Sequence, residues 1–228
     1  MRTLFIFSIL ALSMCITTNA QICLIDDFSL SGTDGAYGIY ADIDCNGKDI
    51  FYIDMDAPNK NQRVQMEIWG KHIDGFINSL QQAKLKYELY SKTAKKNNIT
   101  LLSKDIKVSF SDREIYFTVD DKWHKENGVD LKCKFLATAD GNCLLLLQTD
   151  YMTSTEVVSH SYSVGRAYNL MSGRWSLSFS SNEISITRYC SGASLMFSST
   201  EEIDYFANKL KKAKDWKNKN IQQCKLFQ

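Results

Sequence analysis

The chain is poor in the residues that break or specialise a fold. It has one proline and three histidines, and beyond its first twenty residues no apolar run approaches bilayer length. The scarcity of proline, with eleven glycines in 228 residues, excludes collagen and a proline-rich linker between domains. A composition 44% hydrophobic and 23% charged excludes a disordered tail. Neither charge sign dominates: 27 Lys and Arg face 26 Asp and Glu, so nothing draws the chain to nucleic acid. His72, His124 and His160 fit no metalloprotease spacing. There is no nucleophile elbow, P-loop or dinucleotide fingerprint, and no cysteine pair has CxxC spacing, so no cofactor is implied.

What is present begins with an export signal. Residues 1–20 carry Arg2, an apolar run from Leu4 to Leu12 and a Thr18-Asn19-Ala20 exit, the pattern of a cleaved signal peptide. The expected localisation is therefore periplasmic or secreted, and the short n-region suggests a bacterial host. Removal of residues 1–20 takes away Arg2, leaving 26 cations against 26 acids. It also takes Cys15 from the seven cysteines, leaving Cys23, Cys45, Cys133, Cys143, Cys190 and Cys224. An even set in an oxidising compartment permits disulfides, whose connectivity the sequence leaves open. A Cys23–Cys224 bond would tie both ends down; buried free thiols are the alternative.

Two segments echo one another. Ile73–Lys84 aligns without a gap with Ile203–Lys214, and both carry helical periodicity. Ile73, Phe76, Ile77, Leu80, Ala83 and Tyr87 form one apolar face; Ile203, Phe206, Ala207, Leu210 and Ala213 form the other. Ser199 followed by Glu202 predicts a capped start for the second helix. A second match, Ser109–Thr118 with Ser178–Thr187, reads as strand, polar turn, strand. Together these suggest a duplicated strand-hairpin-helix unit around 36–96 and 105–219.

Turn residues with glycine predict hairpins at Cys45–Asp49, Ala139–Cys143 and Cys190–Ser194. In the first, a three-residue loop placing Ala41 opposite Ile53 gathers the apolar side chains on one face, with Tyr40, Asp42, Asp44 and Asp54 outside. Further strands are predicted at 64–69, 105–110, 114–120, 129–138, 143–149, 156–169 and 174–180, with a polar loop over 120–130. The expectation is a single α+β domain, 21–228: a mostly antiparallel β-sheet with two amphipathic helices packed on it.

Two groups of residues are candidates for function. Asp120, Asp121, His124 and Glu126 are the densest set of oxygen and imidazole donors and form a candidate metal site. His160, Tyr162, Arg166 and Tyr168 share one strand face, rich in the side chains that dominate binding hot spots. Eight aspartates in residues 21–56 face lysine-rich helix ends, a bipolar pattern suited to docking on a partner or on the chain itself. The expected function is that of an exported non-catalytic protein that binds a protein, glycan or envelope component through a sheet surface. A hydrolase with carboxylates brought together by folding, and a self-associating envelope module, are the alternatives.

Overall fold

The computed structural model describes residues 22–31, 35–42, 48–110, 113–169 and 174–227, with the backbone alone at 158, 160–169, 174–182 and 227. The expected signal peptide and the Asn46-Gly47 turn lie outside the described residues. The elements run β1 (Ile22–Ser29), β2 (Ala36–Asp42), β3 (Ile50–Met55), β4 (Val64–Trp69), α1 (Ile73–Lys96), β5 (Leu102–Asp105), β6 (Arg113–Val119) and β7 (Lys122–Val129). Then follow β8 (Lys132–Ala137), β9 (Cys143–Gln148), β10 (Met152–Asn169), β11 (Arg174–Cys190), β12 (Ser194–Phe197) and α2 (Thr200–Cys224).

The strands are antiparallel, as expected, but they divide. A six-stranded sheet has the order β1-β2-β3-β4-β6-β7, and a four-stranded sheet has the order β12-β9-β8-β5. The long strands β10 and β11 pair only with each other. The two larger sheets touch through a backbone bridge, in which Asp56 and Ser194 exchange hydrogen bonds of 2.9 and 2.8 Å.

Alternation decides which side of each strand is buried. Phe51, Ile53 and Met55 of β3 point inward, with Val64, Met66 and Ile68 of β4; Leu145 and Leu147 do the same in the four-stranded sheet. Both inner faces and both helices contribute to one core. Phe206 of α2 joins them: its ring lies 4.8 Å from Phe28 in the first sheet, 5.7 Å from Phe197 in the second and 6.5 Å from Phe76 of α1. The predicted apolar faces of both helices are buried.

The expected cap on α2 forms, with the Ser199 hydroxyl accepting from the Glu202 amide at 3.3 Å. The Glu202 carboxylate does not close a box on Ser199. It accepts from the amides of Ser198 at 2.6 Å and Ser31 at 2.5 Å, fastening the exit of β1 to the start of α2. Two of the α2 lysines reach the N-terminal strands. Lys209 pairs with Asp26 at 2.6 Å, and Lys217, almost fully buried, donates to the Asp42 carbonyl.

Several expectations change. The stretch 120–130 is not a loop: Asp120 and Asp121 turn the chain with φ of 51° and 60°, and β7 follows. Its charges sit on an edge strand, where water reaches one side. Cys190–Ser194 is not a hairpin, because β12 crosses to pair with β9. Residues 105–110 are not a strand; β5 ends at Asp105. In the first hairpin Ala41 faces Phe51 and Ile39 faces Ile53, a slip of two from the expected register. A slip of two keeps every side chain on its face, so alternation cannot detect it.

The helices pack antiparallel with reciprocal ion pairs, Lys84 to Asp204 and Lys214 to Asp74. The strand match does not follow suit. Ser109–Thr118 runs into β6 after α1, whereas Ser178–Thr187 lies within β11 before α2. The two matches therefore do not combine into one repeated strand-hairpin-helix unit.

Candidate functional site

The six-stranded sheet has an outer face opposite the core. Its residues come from the out-pointing positions of five strands: Tyr40 and Asp42 of β2, Tyr52 and Asp54 of β3, Gln65 and Glu67 of β4, Glu114 and Tyr116 of β6, and Trp123 and Lys125 of β7. Tyrosines, carboxylates and one amide therefore share one surface.

At its centre Glu67 and Glu114 stand directly opposite each other on β4 and β6. Like charges in that relation repel. Lys125 compensates on one side by pairing with Glu114. On the other side Glu67 is 4% exposed, and its Oε2 accepts from the Tyr116 hydroxyl at 3.0 Å. Its Oε1 is buried, and among the described residues no N–H or hydroxyl donor reaches it. Burial, reinforced by the Glu114 charge and by a hydrogen bond shared with the Glu114 carboxyl, pushes the Glu67 carboxyl above the usual carboxylate range, against the pull of the Tyr116 bond. Tyr52 meets the Tyr116 ring edge-on at 5.7 Å. Its phenol is pushed up to about 12 by burial and by the Glu67 charge.

One strand away the polar groups are satisfied. Asp54 accepts from the Gly38 amide at 2.8 Å, the Tyr40 hydroxyl at 3.1 Å and the Gln65 amide group at 2.9 Å. A Cβ at Gly38 would lie 2.4 Å from the Tyr40 ring, so the glycine leaves the space that the ring occupies. Asp54 also lines a shallow cleft of about 380 Å³ with Tyr37, Lys60 and Arg63. Arg63 stacks 5.5 Å from the exposed Trp123 ring and extends the aromatic surface toward β7.

The four candidate metal ligands have different surroundings. Asp120, at the turn, pairs with Arg188 at 3.3 Å. Glu126 accepts from the Thr153 amide, and Asp121 is exposed on the turn. His124 is buried against Phe117, with ring centroids 5.8 Å apart, and its Nε2 has no hydrogen-bond partner. Among the described residues no group of three or more such side chains could hold a metal ion. The side chains of His160, Tyr162, Arg166 and Tyr168 lie outside the described residues; their backbones pair with Glu183, Ser181, Leu177 and Trp175 on β11.

The Glu67–Glu114 centre is not evident from sequence. Alternation in Val64–Trp69 already turns Gln65 and Glu67 outward, and the same pattern turns Glu114 and Tyr116 outward. What joins them is the β4–β6 pairing across the whole of α1, which no local pattern encodes. No family model, curated protein or solved structure matches the chain.

Proposed function

We propose that the chain is an exported, non-catalytic binding protein that takes a glycan of the cell envelope on the outer face of its six-stranded sheet. The observation that carries the reading is the pair of half-buried rings, Tyr52 and Tyr116, which meet edge-on beside the Glu67 carboxyl on the outer face. Tyr52 and Tyr116 offer flat apolar rings with polar tips, the combination that suits the two-sided character of a sugar ring. The surface is open and the carboxylates are spread along a sheet, which favours recognition over catalysis. The test is a glycan microarray probed with the purified protein, followed by calorimetry on the glycans retained. Tyr52→Ala and Tyr116→Ala are expected to weaken binding at least tenfold; absence of any retained glycan, or unchanged affinity in both variants, overturns the reading.

The opposed Glu67 and Glu114 favour a second reading, hydrolysis by a carboxyl pair of which Glu67 is raised above the usual range. Turnover of a chromogenic glycoside, lost in both Glu67→Gln and Glu114→Gln, would establish it in place of simple binding.

Export carries a structural corollary. Cys133, Cys143 and Cys190 are buried free thiols. We assign a disulfide of the exported protein to Cys224, with Cys45, between β2 and β3, as its partner. Supporting this, α2 packs on β1 and β2.

A further inference from the structure

One stretch of the surface carries cations without acids. From Gly75 to the end of α1, every exposed position of the helix is neutral or cationic, and the same holds along the turn from Asn97 to Lys104. Lys86, Lys92, Lys95, Lys96 and Lys104 are all exposed there. In a chain whose 27 cations face 26 acids, a stretch of one sign is a local field. Glu88 and Glu201 flank it on the α2 side, where they line a cleft with Lys92 and Lys95.

Leucines stand among these lysines. Leu85, Leu89, Lys92 and Lys96 follow at helical spacing along the exposed side of α1, opposite the buried Ala83, Tyr87 and Ala94. The Lys104 ammonium lies 4.2 Å from the Tyr90 ring centroid, so β5 runs back along α1 and the turn between them stands at the C-terminal end of the helix. Leu101 and Leu102 are exposed on that turn.

The backbone sets Leu101 apart. Asn98 and Leu101 both have left-handed backbone, with φ of 52° and 53°. For Asn98 the helix end explains it: the Ile99 amide donates to the Ala94 carbonyl at 2.9 Å and the Asn98 amide to the Lys95 carbonyl at 3.4 Å, the bonds that close a helix through an asparagine. Leu101 gains no such pair of bonds; its amide reaches the Thr138 carbonyl at 3.5 Å. A leucine is strained in this region, and at 80% exposure no packing offsets the strain. Strain that holds an apolar side chain in water points to a partner outside the chain.

Charge selects the partner. A second copy meeting this surface across a two-fold axis would set lysine against lysine. An acidic surface fits, and the back of a helix with a turn at its end is convex, without the pocket in which a protein anchor sits. A bilayer with anionic headgroups needs no pocket: it takes leucines between its headgroups and draws lysines to its phosphates. Among the described residues no helix is long and apolar enough to cross a membrane, so the contact is one of lying on the surface. We propose that the exposed side of α1 and the turn over 97–104 dock peripherally on an anionic lipid bilayer, with Leu85, Leu89 and Leu101 entering the headgroup layer between the lysines. This inference is independent of the glycan reading, which rests on the outer face of the six-stranded sheet.

The test is flotation of the purified protein with vesicles of phosphatidylcholine alone or with about one third phosphatidylglycerol, intact mass verifying that parent and variants share one N-terminus. The expected result is flotation that requires phosphatidylglycerol and weakens in strong salt. Lys92→Gln combined with Lys96→Gln lowers the partition coefficient roughly twentyfold, about fivefold for each lysine. Leu101→Asn lowers it roughly tenfold, the effect of withdrawing a leucine from the interface. Asparagine accepts the left-handed backbone, so the thermal midpoint of Leu101→Asn is no lower than that of the parent. Leu226→Gln, at a leucine 81% exposed after α2, leaves flotation unchanged. Equal flotation on neutral and anionic vesicles, or parent-like flotation of Leu101→Asn, overturns the proposal. So does a lower midpoint for Leu101→Asn, which would make the leucine structural. Failure to float overturns it in favour of an acidic protein surface, and a lipid-free dimer abolished by Leu101→Asn in favour of a second copy.

Discussion

Lys84 of α1 and Asp204 of α2 form an ion pair at 2.6 Å, and the positions that align with them exchange roles: Lys214 of α2 reaches Asp74 of α1, also at 2.6 Å. The two helices thus meet about a local two-fold relation, each offering the same acid and the same lysine. The first pair is the better protected, with the Lys84 side chain 19% exposed and the Asp74 side chain of the second pair 68% exposed. A double-mutant cycle with Lys84→Met and Asp204→Asn should give about 0.5–1 kcal/mol of coupling by urea unfolding, and the Lys214–Asp74 cycle less. The hydrogen bond from Lys84 holds the Asp204 carboxyl below its usual range. This contribution is present above the unfolded-state carboxylate value and is lost as pH falls through the folded one. Equal coupling in strong salt would contradict the ion-pair origin.

The helix pair was legible because each helix encodes its face locally. Phe76, Leu80, Phe206 and Leu210 recur at helical spacing, and the structure buries all four. The outward placement of Tyr40, Asp42 and Asp54 was legible for the same kind of reason, with a period of two. What escaped depends on non-local pairing. β7 looks like a loop because Lys122, Lys125 and Asn127 face water at an edge, and only its pairing with β6 makes it a strand. Glu67 meets Glu114 because β4 and β6 are neighbours although α1 and β5 separate them in the chain.

Lys217 is 1% exposed and donates to the Asp42 carbonyl, so its side chain acts as a buried strut between α2 and β2. Truncation removes both the packed stem and the donor. Lys217→Ala should cost about 2–4 kcal/mol in urea unfolding. Lys217→Met keeps most of the stem volume and should recover part of that loss. Equal stability of Lys217→Ala and the parent would refute the strut.

The Tyr40 hydroxyl reaches Asp54 only because Gly38 leaves room for the ring. A Cβ at Gly38 would force the phenol aside and break that bond. Tyr40→Phe should cost about 1–2 kcal/mol, the worth of a hydrogen bond to a carboxylate. Gly38→Ala should cost a similar amount, and adding Tyr40→Phe to Gly38→Ala should cost almost nothing more. Additive losses in thermal unfolding would show that the two residues act separately.

Glu67 carries a carboxyl raised by burial beside Glu114, so the folded protein keeps a proton there that the unfolded chain has released. Stability is then highest below the ordinary glutamate value and falls as pH rises through the window up to the raised value. Glu67→Gln keeps an acceptor for Tyr116 and removes the titration. Its urea midpoint relative to the parent should climb with pH across that window and level off above it. Midpoints that run parallel from acidic to neutral pH would show that Glu67 does not titrate differently in the fold.

Cys224 is buried at the end of α2, two helical turns beyond Lys217 and on the same side of the helix, and Lys217 already touches the end of β2. The proposed disulfide therefore needs only to reach a hairpin that the helix already packs on. Peptide mapping of the protein prepared without reductant should find Cys224 cross-linked to Cys45. Cys133, Cys143 and Cys190 should appear as thiols that react only after unfolding. Burial pushes the Cys133 thiol up to about 12, which leaves almost no thiolate to attack a reagent at neutral pH. Reduction should lower stability by about 2–4 kcal/mol, since the bond closes nearly the whole chain into one loop. A Cys224 that is alkylated in the unreduced, unfolded protein would remove the disulfide from the account.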